Sequence, residues 1–261
     1  MLNSLVDTPE AEEWLTRKSN RWNQGRDLSP LVLRAAADFI MERDAAREGK
    51  DIVGDKSPSS TIHGQVVRDT HLLYPDAKLI YIVRDGRDVL TSERFRNFVE
   101  ESKFLTAEDK RILADLKTDP APFSDGRRSI FTEAFIRSIA KRWVDDLREI
   151  DSESRRLYNG RYISLRYEDM LARPFMELSI LWKFLGVKKI NKALEKQLLA
   201  EMSSNPDEEL QAKRNEDIAS FLPKGQAGNL RRLFMEKDKA LFKEAAGEML
   251  VKWGYEKDNN W

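Results

Sequence analysis

Residues with the types and spacing to do chemistry cluster at Arg84, Asp85, Arg87, Asp88 and Ser92, just where an apolar run from Leu79 to Val83 stops. An arginine at a strand end offers a forked guanidinium. A helix beginning near Arg87 offers amide hydrogens and the positive end of a dipole, and Ser92 adds a hydroxyl about a turn and a half further on. Together these are the parts of an anion site. The same residues also fit a capped, solvated junction between strand and helix, and the short string alone leaves both readings open.

The elements around this cluster follow from the pattern of apolar residues. Leu79 to Val83 has no polar alternation, as in a strand buried on both faces of a parallel sheet, and Asp85-Gly86 supplies the turn at its carboxyl end. Open α/β sheets bind ligands at that edge. Ser29-Pro30 followed by Leu31, Leu33, Ala36, Phe39 and Ile40 predicts an amphipathic helix over about 30–48. Ile52-Val53 reads as a short strand, 59–73 as a helix, 78–84 as a strand and 87–99 as a helix. The stretch 101–129, with Pro120-Ala121-Pro122 and Asp125-Gly126, is the least periodic and fits a surface excursion and a segment that shapes a substrate pocket equally well. A long helix follows over 131–150 with Phe135, Ile139 and Trp143 on one face, then a strand over 161–166. A helix opened near Pro174 and closed by Gly186 comes next, and a terminal helix ends near Trp253-Gly254-Tyr255. Short strands alternating with helices predict an α/β fold, with the strands ending at Val53, Arg84 and Arg166 parallel in one sheet and helices on both faces. Arg94, Arg96, Arg127 and Arg128 read as parts of solvated faces.

Three stretches carry a resemblance. Val83-Arg84-Asp85-Gly86-Arg87-Asp88-Val89-Leu90-Thr91-Ser92 resembles the 3′-phosphate motif of sulfotransferases that use 3′-phosphoadenosine 5′-phosphosulfate (PAPS), in which an arginine and a serine eight positions later grip the ribose 3′-phosphate. Tyr167-Glu168-Asp169-Met170, with Arg173-Pro174 and Phe184-Leu185-Gly186-Val187, is similar to the family's Y-E-D-M segment and the helix after it. Lys224-Gly225-Gln226-Ala227-Gly228-Asn229 is similar to its late glycine loop over the nucleotide, with Pro223 and Leu230 where the family has arginine and tryptophan. The resemblance runs from 56 to 255. It implies that Arg84, Ser92, Lys224 and Gly225 hold the 3′-phosphate and that Tyr167 lies beside the adenine.

The family's glycine-containing loop for the 5′-phosphosulfate has no counterpart here. Lys56, twenty-eight residues before Arg84, matches instead the lysine of a second family element at the end of the next strand, close to the transferred group. The resemblance therefore implies one sulfotransferase-like domain over 1–261, a three-layer P-loop-like fold with a central parallel sheet whose first strand is absent. Such a chain is expected to be nearly inactive, to bind the bisphosphate product and to self-associate along an unpaired strand edge. Pro58 stands where some members place a catalytic histidine; His63 and His71 are the remaining candidates for a base, His63 being nearer Lys56.

Composition narrows the function classes. Forty-five basic residues balance forty-five acidic ones, which gives no overall pull toward nucleic acid or anionic lipid, so any anion site is local. With no cysteine and two histidines, disulfides, thiol nucleophiles and cysteine- or histidine-rich metal centres are excluded, and no metal is expected. No apolar run has the length of a membrane span, and the first residues lack a basic-then-apolar signal, so a cytoplasmic setting is expected. The implied activity is sulfuryl transfer from PAPS to a hydroxyl or amine of a carbohydrate, lipid, peptide or small metabolite. The alternative is a remnant that binds the bisphosphate nucleotide without turnover. A P-loop kinase is disfavoured because no G-x-x-x-x-G-K-[ST] occurs.

Overall fold

The computed structural model describes residues 27–56, 63–187 and 233–261, together with isolated helical positions at 9, 13, 194, 196, 197, 199 and 200. The chain divides into two compact units, Met1–Leu79 with Glu149–Tyr162 and Ile80–Arg148 with Ile163–Trp261. Two short strands, β1 (Leu79–Val83) and β2 (Tyr162–Arg166), pair as a parallel sheet, which with the surrounding helices makes the protein α/β. Parallel pairing puts both carboxyl ends at one edge.

In the first unit, α1 (Ser29–Glu48) packs on α2 (Gly64–Leu73). The expected helix is present, but none of its residues is buried, and Leu31, Phe39 and Ile40 remain exposed. Its anchorage is polar instead. The Arg34 guanidinium donates to both oxygens of Asp76 at 2.8 and 2.9 Å and lies 5.1 Å from the Tyr74 ring, while the Tyr74 hydroxyl donates to Asp38 at 3.0 Å. Ile52-Val53 is not a strand: both residues are exposed and irregular. Two apolar residues make too few ladder bonds and bury too little surface to offset the ordering of a strand.

The second unit holds the apolar core. Its helices are α3 (Gly86–Val99), α4 (Ala107–Thr118), α5 (Ala121–Ser124), most of α6 (Glu133–Tyr158), α7 (Tyr167–Ala172), α8 (Pro174–Leu185) and α9 (Glu236–Lys252). Val83, Leu90, Phe98, Ile136, Ala140, Leu147, Phe242 and Leu250 are at its centre. The strand β1 buries only one face, because Ile80 and Ile82 are exposed while Val83 is buried; the expectation of burial on both faces is corrected. The stretch that is least periodic in the sequence contains α4, which opens with a capping box between Thr106 and Asp109 and buries Ile112, Leu113 and Leu116 at helical spacing. Pro120-Ala121-Pro122 lies beyond the end of this helix, at the start of α5, and interrupts nothing within it.

Arg94 is likewise corrected, from a solvated face to the interior. It is fully buried on α3, donating to the Ile130 carbonyl and to Asp109 at 2.6 Å each, with the rings of Phe98 and Phe135 at 4.2 and 4.8 Å. A buried guanidinium is tolerated only with such partners. It ties α3 to α4 and to the turn before α6. Among the described residues, no helix is long and apolar enough to cross a membrane.

Candidate anion-binding site

The site is built where the two strands end. Arg84 follows β1 directly, and Tyr167 follows β2 as the first residue of α7. The Arg84 guanidinium carbon lies 5.3 Å from the centre of the Tyr167 ring, within the range of a cation–π contact. Its Nη2 is 3.9 Å from Asp88, a long pairing that leaves the fork available to a stronger acceptor. The side chain is 31% exposed, so one side of the fork is open to solvent, while its Nε is buried without a hydrogen-bond partner. A cation against an aromatic face, with an unpaired donor, is suited to an anion carried by a planar base.

The backbone of the turn is fixed from three sides. The Trp143 indole nitrogen donates to the Arg84 carbonyl at 3.1 Å, and the ring lies against Gly86 so closely that a Cβ there would stand 2.5 Å from it. Glu168, next to Tyr167, accepts from the Asp85 amide at 2.9 Å. The Asp85 carboxylate caps α3 by accepting from the Arg87 amide at 2.9 Å and takes the Arg87 guanidinium at 2.7 Å. The helix start is therefore less open than expected, because the Arg87 amide and guanidinium are committed within the protein. Burial alone would favour a neutral Arg87, but its bonds to Asp85 and Glu256 outweigh that and hold it charged.

Around this turn lie groups that sequence reasoning assigned no role. The Arg166 guanidinium donates to Asp169 at 2.6 Å, keeping that carboxylate below its ordinary range, and also to the Gly254 carbonyl. Tyr255 lies beside Glu168 and Asp85, and burial together with those carboxylates pushes its phenol well up. Trp143 reads from its spacing as a core residue only; nothing local signals its bond to a carbonyl 59 residues away.

The other expected site residues are placed differently. Ser92 is exposed on α3, one turn beyond Asp88 and on the same face of the helix. Lys56 is exposed and irregular in the first unit. His63 is the exposed N-cap position of α2, not a residue within the helix, and its side chain makes no cap bond. His71 packs edge-on to the buried Tyr158 at 5.2 Å, a packing role. Lys224 and Gly225 lie outside the described residues. The structure thus brings Arg84 and Tyr167 together and sets Ser92 one helical turn beyond Asp88, the residue that the Arg84 guanidinium faces. Among the described residues, no three metal-ligating side chains cluster.

No curated protein matches the chain. A family model described as the sulfotransferase domain matches residues 61–254, well over half of its length and including both strand ends, so the chain belongs to the sulfotransferase domain family.

Proposed function

We propose that this protein transfers a sulfuryl group from PAPS to a hydroxyl or amine acceptor. The supporting observation is the Arg84 guanidinium over the Tyr167 ring at the joined carboxyl ends of β1 and β2. Those two side chains suit the two ends of an adenosine 3′-phosphate, the anion and the base. In this proposal Arg84 and Ser92 hold the 3′-phosphate, with Lys224 and Gly225 closing over it, and Tyr167 faces the adenine. The whole chain acts as one domain of three-layer, P-loop-like design. Lys56 neutralises charge on the moving group, and His63 accepts the proton that the acceptor loses. The sulfur–oxygen bond to the nucleotide breaks, a bond from sulfur to the acceptor forms, and the bisphosphate nucleotide leaves. Catalysis by positioning and charge needs no bridging metal.

The test is incubation with radiolabelled PAPS and a panel of glycans, phenols, lipids and peptides. Label on one acceptor class, reduced by Lys56→Ala, supports transfer. Bound nucleotide with no label on any acceptor contradicts it.

A further inference from the structure

The segment that follows α9 makes contacts that the proposed chemistry leaves unexplained. The last turn of α9 closes in a Schellman motif: the Tyr255 amide donates to the Leu250 carbonyl at 2.8 Å, and the Gly254 amide to Val251 at 3.0 Å. Gly254 has a φ of 71°, a left-handed conformation that turns the chain back. From there the segment runs to the β1–α3 turn. Glu256 accepts from the Arg87 guanidinium at 2.5 Å, and the Trp261 ring centre lies 4.7 Å from the same guanidinium. Arg87 is only 9% exposed at its side chain, enclosed by Asp85, Glu256 and Trp261. Arg166 donates to Gly254 and lies 5.5 Å from the Tyr255 ring, so the β2–α7 turn is gripped by the same segment. One stretch of nine residues, 253–261, therefore touches both turns that present Arg84 and Tyr167.

We propose that residues 253–261 form a brace that sets the geometry of the anion site, with Glu256 and Trp261 as positioning residues acting through Arg87. This rests on the reading of Arg84 as the holder of a 3′-phosphate. Arg87 then serves as a post that fixes the Asp85–Arg87 turn, and Arg84 is pre-organised because its neighbours are held from outside the turn.

At Glu256 a mere charge effect and positioning predict opposite signs. Glu256 is an acid near an anion site, so if it acted only through its field, Glu256→Gln would tighten binding of an anionic nucleotide. If it positions Arg87, the same change weakens binding. Trp261→Ala changes no charge.

Calorimetry on the full chain with adenosine 3′,5′-bisphosphate and with adenosine 5′-monophosphate separates these cases, with thermal melting to confirm that each variant is folded. Both variants are expected to weaken bisphosphate binding by about three- to tenfold, the size of a part-buried cation–π or charge-assisted contact, while monophosphate affinity stays within about twofold. Trp261→Phe, which keeps an aromatic face, should restore the bisphosphate affinity. Tighter binding by Glu256→Gln, unchanged binding by both variants, or an equal loss for the two nucleotides overturns the brace while leaving the site intact. A wild-type chain with no preference for the bisphosphate overturns the site reading, and the brace with it.

Discussion

At the end of β1, Arg84 sits in a turn whose carbonyl, amide and flanking guanidinium are each held by a different part of the second unit: Trp143 on α6, Glu168 on α7 and Glu256 beyond α9. Around Lys56 the chain is irregular and exposed from 50 to 56, and the nearest apolar residues, Ile52 and Val53, are about half exposed. Both places carry a basic residue after an apolar run. The difference lies in what surrounds them. A group meant to grip one ligand atom gains from enforced geometry, because each fixed torsion is entropy that binding no longer has to remove. By that measure the nucleotide-holding half of the proposed site is constructed around Arg84, and Lys56 has no comparable framework among the described residues.

The largest expected effect tests whether the framework under Arg84 is as strong as its contacts suggest. Arg94 anchors α3, the helix that begins at this turn, and Arg94→Met leaves Asp109 buried without its cation. Losing one partner of such a pair should cost about 3–5 kcal/mol in denaturant unfolding, whereas Lys56→Ala should change stability by less than about 0.5 kcal/mol. Comparable losses from the two changes would erase the contrast. The pH dependence has a definite sign. Burial pushes the Asp109 carboxyl up, but hydrogen bonds from Thr106 and the Arg94 cation outweigh it, and its net shift is downward. The stability this contributes is present above the ordinary carboxylate range and is lost as pH falls through the lowered native value. Wild type and Arg94→Met should therefore converge in stability on acidification, read from unfolding curves across that range.

A middle-sized effect is expected at Gly86. An added methyl would meet the Trp143 indole at 2.5 Å, so Gly86→Ala should cost about 1–3 kcal/mol by overpacking and should weaken nucleotide binding, because Trp143 holds the Arg84 carbonyl. A variant with wild-type stability would show that the turn yields easily. Smaller again is Tyr167. Removing its face by Tyr167→Ala should lower affinity for adenine nucleotides about tenfold, in keeping with about 1–3 kcal/mol for base stacking, while Tyr167→Phe keeps most of it. Equal behaviour of the two substitutions in calorimetry would remove Tyr167 from the site.

Much of this architecture is legible from residue order. The Ser29-Pro30 start, the Pro174 to Gly186 helix, both strands and the long α6 follow from local apolar spacing and caps, and the structure has each of them. Arg84 and Tyr167 are legible through the motifs that contain them. What fails does so because its cause is not local. Arg94 reads as a surface cation until Asp109 and the Ile130 carbonyl, 15 and 36 residues on, supply its partners. Glu256 and Arg87 meet across 169 residues, and no spacing announces it. The α4 helix is the one miss with a readable signal, since Thr106 and Asp109 form the box from which it starts. The strand expected at Val53 fails for the opposite reason: apolar character alone was enough to suggest it, and two residues are too few to sustain it.

The central claim is that Arg84, set against Tyr167, recognises a 3′-phosphate on an adenine nucleotide. Titrating wild type and Arg84→Ala with adenosine 3′,5′-bisphosphate and adenosine 5′-monophosphate tests it directly. Wild type should prefer the bisphosphate, and Arg84→Ala should lose about 1.5–3 kcal/mol of that binding, roughly ten- to a hundredfold, while its monophosphate affinity changes little. Equal affinity of wild type for the two nucleotides, or an Arg84→Ala variant that still discriminates between them, would contradict it.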